Sequence, residues 1–320
     1  MKRPAVIGID LGGTNCRGAL VGDDGQLFFQ RSIKTEIDAG FDSFWMRFLC
    51  FCRALIDEGI QQGYDLKGLG LGFPGIVAKE GFVRVSPNLP PLNGFALADR
   101  LVSQLQLPVR VVNDANAIAL GEARWGAGLE FSSFVMVTLG TGVGGGLIIN
   151  RQIWSGADGA AGELGHIAVE PVGRLCGCGA YGCLEQYASG PALVRTCLEL
   201  WDQYNEQSSY ASNKPRTAEE VAVAALNGHP AALGAYASAG RYLGQVLAGI
   251  ANLLNLEGAV IGGGVSANLE LIMPSLREEI DKRAFAVPAR RMKLVPAALG
   301  DRAGILGAAH AVREMFIEPA

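Results

Sequence analysis

A short apolar strand pattern followed by a loop of glycine and threonine occurs twice in this chain, and this repeat restricts the fold more than any other feature. The first copy covers residues 5–14 and the second covers residues 134–146. Short apolar runs that end in glycines are typical of buried strands followed by tight turns. A chain of 320 residues is long enough for two domains, so the repeat indicates an internal duplication with one copy in each domain.

The segments around the two copies predict an α/β fold. From the spacing of apolar residues, strands are predicted at residues 16–21, 27–33, 69–73 and 109–112, and helices at 41–60, 95–105 and 115–125. A meander of strands followed by alternating helices and strands indicates a mixed sheet. The second half is predicted to be largely helical, with helices at 191–204, 217–226, 231–254 and 303–315 and a short strand at 259–261.

Charge and hydropathy exclude several classes of partner. The formal net charge is −4, and no stripe or tail of Lys and Arg is present, so the chain is not expected to bind nucleic acid. No apolar run approaches the roughly 20 residues of a membrane helix. The N-terminal residues lead directly into a strand pattern and lack the features of a signal peptide. We therefore expect a cytoplasmic protein with no membrane partner.

The first glycine loop is a candidate phosphate site. Gly12 and Gly13 present backbone N–H groups without side-chain obstruction, and the Thr14 hydroxyl can donate to a phosphate oxygen. Asp10 offers the oxygen ligand that Mg²⁺ prefers. A tight hairpin turn is the alternative interpretation, because the spacing matches neither a Walker A loop nor GxGxxG.

Two further glycine groups extend this prediction. The second copy of the repeat contains Gly140, Thr141 and Gly142, which could form a second phosphate loop or a flexible turn. The third group, after the strand at 259–261, consists of Gly262, Gly263 and Gly264. It could let adenine or ribose lie on bare backbone, or it could be a strand-to-helix turn.

A carboxylate follows the strand at 109–112. Asn113 and Asp114 stand where the ligands of α/β proteins bind, at the carboxyl end of a strand. Asp is also favoured as the N-cap of a helix, and a helix is predicted to follow. The capping and catalytic interpretations of Asp114 are compatible, and the sequence leaves both open.

Four residues provide the donor set of a closed zinc site. His166 is followed by Cys176, Cys178 and Cys183, and three thiolates with one imidazole can hold zinc tetrahedrally. Glycines between the cysteines let the chain fold around an ion. Free thiols or a disulfide are the alternatives, but a reducing compartment favours the metal.

Two carboxylates flank this cluster. Glu163 precedes His166 by three residues, a spacing that places both on one face of a helix, and Glu185 follows Cys183 by two. If one imidazole nitrogen binds zinc, the other can bond a ligand hydroxyl. The metal would then position a ring of hydroxyl-binding groups. The other cysteines are expected to pack in the core and His310 to face solvent or cap the last helix, so none of these is assigned a functional role.

Together these motifs resemble the ROK family, which comprises repressors, open reading frames and kinases, over essentially the whole chain. The resemblance rests on residues 10–14, 113–117, 139–146, 163–166 and 176–185. The last segment matches the family's CxCGxxGCxE signature throughout. Within the family, residues 14–17 are similar to those of bacterial glucokinases.

The resemblance implies an actin-like, hexokinase-like (ribonuclease H-like) ATPase fold with two domains around a cleft. A small domain would comprise residues 1–113 and the C-terminal helix at 303–320, and a larger domain with the zinc site would comprise 114–302. The resemblance also implies a homodimer. It implies ATP-dependent phosphorylation of a hexose at the 6-hydroxyl, most simply glucose, with Mg²⁺ accompanying ATP and Zn²⁺ as a structural ion.

The family's site residues carry over to matching positions. Asp114 would be the base that acts on the sugar hydroxyl. The residues that bind or border the sugar would be Gly75, Asn88, Asn113, Asp114, Glu163, His166 and Glu185. The zinc ligands would be His166, Cys176, Cys178 and Cys183.

Alternatives stay open at this point. Kinases of N-acetylglucosamine, N-acetylmannosamine, fructose and allose share the pattern, and no residue decides among these sugars. A polyphosphate-dependent kinase is disfavoured by the intact zinc motif and the acidic composition. A sugar-responsive repressor of the same family would need an additional N-terminal helix-turn-helix, whereas the first strand is predicted to begin at Ala5. A pure sugar-binding module would need neither Asp114 nor the paired loops.

Overall fold

The computed structural model describes residues 3–205 and 214–316, which form two compact units. Unit 1 lies within Met1–Ser132, Gly146–Gly162 and Ala298–Ala320, and unit 2 within Ser133–Gly145 and Glu163–Ala297. The mixed α/β architecture confirms the predicted fold class.

The strands are β1 (Arg3–Leu11), β2 (Asn15–Val21), β3 (Leu27–Lys34), β4 (Tyr64–Phe73), β5 (Ile76–Val77), β6 (Phe82–Val85), β7 (Phe95–Ala96), β8 (Val109–Asn113), β9 (Phe134–Leu139), β10 (Val143–Ile149), β11 (Gln152–Ile153), β12 (Gly258–Gly262) and β13 (Lys293–Pro296). The α-helices are α1 (Phe41–Gln61), α2 (Leu97–Leu105), α3 (Asp114–Trp125), α4 (Glu185–Ala188), α5 (Gly190–Asn205), α6 (Ala218–Leu226), α7 (Pro230–Leu254), α8 (Leu269–Arg283), α9 (Ala286–Arg291) and α10 (Ala303–Arg313). The helix predicted from Phe95 begins at Leu97, because Phe95 and Ala96 pair with β6 as β7.

The main sheet of unit 1 has the strand order β3-β2-β1-β4-β8. Strands β1, β2 and β3 are antiparallel neighbours joined by short turns, whereas β1, β4 and β8 run parallel. Parallel neighbours require a long crossover, and α1 and α2 lie in the connections before β4 and β8. The sheet is therefore mixed, as the sequence predicts.

Helix α10 packs on this sheet through glycines in the strands. A Cβ on Gly8 of β1 would overlap the carbonyl oxygen of Ile305, and a Cβ on Gly70 of β4 would overlap that of Ala308. Glycine at both positions lets the helix backbone lie directly against the strands. The C-terminal helix thus completes unit 1.

The division into units differs from the predicted boundaries at residues 113/114 and 302/303, because α3 belongs to unit 1. A Cβ on Gly121 of α3 would overlap the carbonyl oxygen of Ala303, and a Cβ on Gly307 of α10 would overlap that of Ala117. The glycines allow α3 and α10 to approach closely, and this packing keeps α3 with the first unit.

In unit 2, β12 runs parallel to both β9 and β13, and β10 begins on the other side of β9. The long helix α7 packs against α8, where Gly240 and Gly244 allow close approach to the carbonyl oxygens of Ile272 and Leu276. Among residues 3–205 and 214–316, no helix has the length and apolarity needed to cross a membrane.

Two side chains lie elsewhere than predicted. His310 is largely buried, and its ring packs edge-on against Trp125 with a centroid separation of 5.7 Å. Cys50 is exposed on α1, because the apolar face of that helix is formed by residues such as Phe48 and Cys52. The burial of Cys16, Cys52 and Cys197 confirms their predicted core positions.

Candidate active site

In unit 1, the candidate residues lie at the carboxyl ends of neighbouring parallel strands. Asp10 of β1 pairs with Gly72 of β4, and the next residue, Phe73, pairs with Asn113 of β8. A Cβ on Gly72 would lie 3.7 Å from Asp10 Oδ1 and 3.2 Å from the Cβ of Ala117 in α3. Sheet register therefore brings Asp10 and the start of α3 to one edge, with Gly72 between them.

The structure assigns different roles to Asn113 and Asp114. Asn113 is the N-cap of α3: its Oδ1 accepts a hydrogen bond from Asn116 N at 3.0 Å. Its Nδ2 donates to Asp114 Oδ1 at 3.0 Å, and that oxygen also accepts from Ala115 N at 2.8 Å. Asn113 therefore satisfies the cap, and the half-buried Asp114 carboxylate is held in a fixed orientation at the positive end of the helix.

Gly75 lies near this helix start, and Asn88 lies beside the first glycine loop, where a Cβ on Gly13 would be 3.4 Å from the Cβ of Asn88. The Gly75 carbonyl accepts from Asn113 Nδ2 at 3.1 Å, and its φ of 144° suits glycine. Buried Ser86 donates through Oγ to Pro74 O at 2.5 Å and accepts from Leu89 N at 3.2 Å. These bonds fix the exposed Asn88 between them. No pattern in the sequence marks Ser86, because its role depends on contacts across the turn.

The Asp10 carboxylate lies at the N-terminal end of α10. A Cβ on Gly304 would lie 2.7 Å from Asp10 Cγ, so glycine is required there. Burial raises the pKa of Asp10, while Arg17 opposes this and Asp301 adds to it. Arg17 and Asp301 also form an ion pair at 3.0 Å. A cation bound at Asp10 would favour the ionised carboxylate.

The loop after β1 is a hydrogen-bonded turn with an exposed tip. Gly12 N–H donates to Asn15 O at 2.8 Å, so it is already engaged. Buried Thr35 donates through its hydroxyl to Gly12 O at 2.7 Å, and its N–H donates to Thr14 O at 2.9 Å. Gly13 and Thr14 are exposed at the tip. The segment is therefore a tight turn, and its tip is accessible to a ligand.

In unit 2, the four predicted zinc ligands come together. One donor atom from each of His166, Cys176, Cys178 and Cys183 lies within 4.8 Å of the others. Cys178 Sγ is 3.7 Å from Cys183 Sγ, and Cys176 Sγ is 3.7 Å from His166 Nδ1. Bonds of about 2.3 Å to sulfur and about 2.0 Å to nitrogen in a tetrahedron separate neighbouring donors by about 3.5–3.8 Å. The cluster could therefore hold a zinc ion, and all of its cysteines are free thiols.

His166 directs its other nitrogen toward Glu163. His166 Nε2 lies 4.0 Å from Glu163 Oε2, and both side chains are partly exposed. Glu163 precedes a 3₁₀ turn, Leu164–His166, and His166 is its last residue, so the two residues do not share the α-helical face that their spacing predicts. Burial raises the pKa of Glu163, His166 lowers it and Glu185 raises it. The tight turn still leaves both polar groups at one accessible surface.

Glu185 lies beside the cluster, at the start of α4. Its Oε1 is 3.9 Å from Cys176 Sγ, and its Oε2 accepts from Val143 N at 3.1 Å. Val143 immediately follows the glycine loop. The structure thus joins two motifs that the sequence analysis treated separately.

The glycine loop between β9 and β10 is partly closed on itself. Gly140 N–H donates to Gly142 O at 2.9 Å, so it is already engaged. Thr141 is exposed at the tip. Gly190 N–H, at the start of α5, donates to Gly140 O at 2.8 Å. A Cβ on Gly140 would meet only open space, so a ligand can reach the backbone there.

The third glycine group connects β12 to a 3₁₀ turn. Gly262 is the last residue of β12, and a Cβ there would lie 2.9 Å from the Cβ of Ala297. Gly263 has φ of 91°, and a Cβ on it would overlap the Leu139 carbonyl oxygen. Gly264 borders open space. Packing and backbone conformation therefore explain why residues 262 and 263 are glycines, whereas Gly264 offers exposed backbone to a ligand.

Arg174 fixes the segment that carries the cysteines, a role that the sequence analysis missed. Its guanidinium lies 4.9 Å from the Tyr187 ring centroid and donates to Gln186 O at 2.6 Å and Thr196 Oγ1 at 3.0 Å. It also pairs with Glu199 at 2.5 Å. These contacts tie the cysteine segment to α4 and α5.

Comparisons with known proteins cover nearly the whole chain. The ROK family pattern matches residues 6–315. A glucokinase from Thermotoga maritima is 34% identical over 318 residues, covering 98% of this chain and 99% of that protein. A xylose repressor from Caldicellulosiruptor bescii is 31% identical, covering 95% of this chain and 76% of the repressor. The crystal structure of a glucokinase from Streptomyces griseus with glucose and AMPPNP is 34% identical with a TM-score of 0.79, covering 97% of this chain and 99% of that one.

Proposed function

The chain belongs to the ROK family, and on that premise we propose that it is an ATP-dependent hexose kinase that transfers a phosphoryl group to the 6-hydroxyl of glucose. The observation that carries the proposal is the orientation of Asp114, whose carboxylate is held at the start of α3 while Asn113 satisfies the helix cap. The glucokinases of similar sequence support the reaction type and the choice of glucose.

Asp114 acts as the base in this proposal. Phosphoryl transfer depends mainly on positioning and charge stabilisation, so the base must orient the hydroxyl and accept its proton as the new bond forms. The bonds from Asn113 Nδ2 and Ala115 N occupy Oδ1 of Asp114 and fix its plane. An ordinary carboxylate is basic enough when the proton moves late in a loose transition state.

Each unit has an exposed glycine loop to which phosphate contacts are assigned. Gly13, Thr14 and Thr141 lie at accessible loop tips, where backbone and hydroxyl donors can offset phosphate charge. Asp10 supports Mg²⁺, because a buried carboxylate with a raised pKa gains from a divalent cation. The exposed backbone at Gly264 is assigned to the nucleoside.

A zinc ion fits the donor set of His166, Cys176, Cys178 and Cys183. Three thiolates and an imidazole are the ligands of closed structural zinc sites, and the 3.7 Å separations within the Cys178–Cys183 and Cys176–His166 pairs match tetrahedral bonding. When bound, the ion supplies structural cross-linking. Nδ1 of His166 faces the cluster, so Nε2 carries the proton and can donate to a sugar hydroxyl beside Glu163. Glu163 and Glu185 accept bonds from neighbouring hydroxyls.

A sugar-responsive regulator is the second candidate. It is favoured by the 31% identity to a xylose repressor, which matches 95% of this chain. Both candidates need a sugar site, but only the kinase needs the base and the ATP loops. Other family sugars, namely N-acetylglucosamine, N-acetylmannosamine and fructose, are alternatives within the kinase proposal.

A coupled assay of ADP release with ATP and each of glucose, fructose, allose, N-acetylglucosamine and N-acetylmannosamine tests the proposal. We expect the highest kcat/KM with glucose and no turnover of glucose by Asp114→Asn above about one hundredth of the wild-type rate. Sugar binding without phosphorylation of any sugar would favour the regulator. Higher kcat/KM with another sugar would replace glucose and leave the reaction type in place.

A further inference from the structure

The Glu185 carboxylate bridges the cysteine cluster and the glycine loop within unit 2. Its Oε2 accepts from Val143 N at 3.1 Å, and its Oε1 lies 3.9 Å from Cys176 Sγ. A Cβ on Gly142 would overlap Oε2, so the loop fits against the carboxylate because residue 142 is glycine. The contact therefore depends on the Glu185 side chain, on the backbone N–H of Val143 and on the lack of a side chain at Gly142.

The backbone leading from the cluster fixes where this carboxylate lies. Cys183 forms a β-bridge with Ala168, and Leu184 N–H donates to Ile167 O at 2.9 Å. Glu185 is the next residue and begins α4. Ordering of the cysteine segment therefore orders the side chain that contacts the loop.

The peptide between Gly142 and Val143 is held at both of its polar groups. Its N–H donates to Glu185, and its carbonyl, from Gly142, accepts from Gly140 N–H at 2.9 Å. Because a peptide is planar, these two bonds fix its orientation. At the other end of the loop, Gly190 N–H holds the carbonyl of Gly140 at 2.8 Å. Removing the carboxylate frees one side of the loop next to Thr141.

We propose that Glu185 is a positioning residue for the glycine loop between β9 and β10, and that it couples the binding of ATP to the binding of the sugar. This inference rests on the proposed function, in which Glu185 also bonds a sugar hydroxyl. A group that contacts one ligand and orients the site of a second makes the two binding equilibria interdependent, and the coupling is reciprocal. The substrates should therefore bind synergistically.

Titration calorimetry with a non-hydrolysable ATP analogue, with and without saturating glucose, tests the inference in the zinc-loaded protein. In the wild type, glucose should lower the Kd of the analogue. Glu185→Ala should raise that Kd about tenfold or more, the scale of losing a hydrogen bond to a charged group, and should abolish the effect of glucose. Glu185→Gln retains an oxygen that can accept from Val143 N, so its Kd without glucose should stay within about threefold of wild type.

Two further variants separate positioning from general damage. Glu163→Ala removes the other carboxylate of the same cluster, and it should weaken glucose binding while leaving the Kd of the analogue without glucose unchanged. Gly142→Ala changes the glycine loop rather than the cysteine segment, and its added Cβ should push the Glu185 carboxylate away from the loop. It should reproduce the loss of analogue affinity. Zinc content and thermal unfolding of each variant identify misfolded protein.

The outcomes are distinct. If Glu185→Ala binds the analogue like the wild type, the inference is overturned and the proposed kinase stands. If Glu185→Ala does not fold, Gly142→Ala decides: weakened analogue binding supports the inference, and wild-type binding overturns it. If the wild type binds no analogue and phosphorylates no sugar, the proposed function fails and the inference fails with it.

Discussion

The carboxylate and amide candidates of unit 1 lie at the ends of hydrogen-bonded strands, whereas the zinc and sugar candidates of unit 2 lie on a segment with little regular structure. Asp10 and Asn113 are placed by the register of parallel neighbours in the sheet. From Glu163 to Glu185, the described backbone contains a single 3₁₀ turn and isolated bridges such as Ala168–Cys183. The two regions therefore depend on different stabilising interactions.

The difference indicates how each region should respond to the loss of a side chain or a metal ion. A strand end keeps its position as long as the sheet folds, because many backbone hydrogen bonds and buried apolar side chains together stabilise the sheet. A segment without a ladder of hydrogen bonds needs cross-links, and here these are the cysteine cluster and the Arg174 contacts. Loss of metal should thus affect unit 2 selectively, whereas loss of a single carboxylate should affect the chemistry of unit 1 without changing its structure.

Removing a zinc ligand should produce the largest effect. Cys178→Ala should reduce zinc from about one ion per chain to almost none, because the three remaining protein ligands hold the ion far less tightly than the four of the closed site. The segment up to Glu185 should become disordered, and KM for sugar should rise more than KM for ATP. Metal analysis and amide hydrogen exchange measure both effects.

Cys50→Ala is the matched control, since Cys50 is an exposed thiol in unit 1. It should keep wild-type zinc content and KM values. Purified wild-type protein that phosphorylates sugar normally without zinc would contradict the metal assignment and remove the contrast between the two units.

Asp114→Asn should lower kcat about a hundredfold or more, the scale of an acid–base group. Asn can retain the hydrogen bond from Ala115 N, so α3 should stay folded and sugar affinity should change by no more than a few-fold. Steady-state kinetics, with zinc content as the control, test this expectation. A kcat within tenfold of the wild-type value would rule out Asp114 as the base.

His166→Cys tests whether the cluster also contacts the sugar. Cysteine can replace histidine as a zinc ligand, but it cannot supply the Nε2–H donor beside Glu163. A lost hydrogen bond to a buried hydroxyl costs about 1–3 kcal/mol, so KM for sugar should rise about five- to a hundredfold with little change in KM for ATP. An unchanged sugar KM in zinc-loaded His166→Cys would limit His166 to a structural role.

The smallest effect concerns acid sensitivity in unit 1. Burial, with smaller contributions from Arg124 and Arg313, lowers the pKa of His310 to about 4. The folded pKa lies below the unfolded value of about 6.5, so the unfolded state binds more protons, and stability falls as pH drops from about 6.5 toward 4. His310 should account for about 1 kcal/mol of lost stability near pH 6.

Denaturant unfolding of wild type and His310→Gln between pH 7.5 and about pH 6 isolates this contribution, because the variant removes one titrating group and leaves the carboxylates in place. The variant should show the shallower pH dependence. Equal slopes in the two proteins would mean that His310 is accessible to protons in the folded state.

The site chemistry could be predicted wherever it depends on residues close in sequence. The spacing of His166, Cys176, Cys178 and Cys183 restricts them to one small region, and the structure places their donor atoms together. The fold class could be predicted for the same reason, because apolar periodicity and glycine turns are local signals. Boundaries were less predictable: α3 falls in unit 1 although it follows residue 113, because its packing partner, α10, lies far away in sequence.

Only the tertiary structure decided which of two adjacent residues caps α3, where His310 lies, and that Glu185 contacts the glycine loop. Each depends on a contact that sequence spacing does not encode: Asn113 with Gly75, His310 with Trp125, and Glu185 with Val143. The sequence by itself determined the ligand types, the turns and the apolar faces, since these follow from residue chemistry and short-range geometry. Long-range packing selected among the orientations that this chemistry allows, because burial and hydrogen bonding of a side chain depend on residues brought beside it by folding.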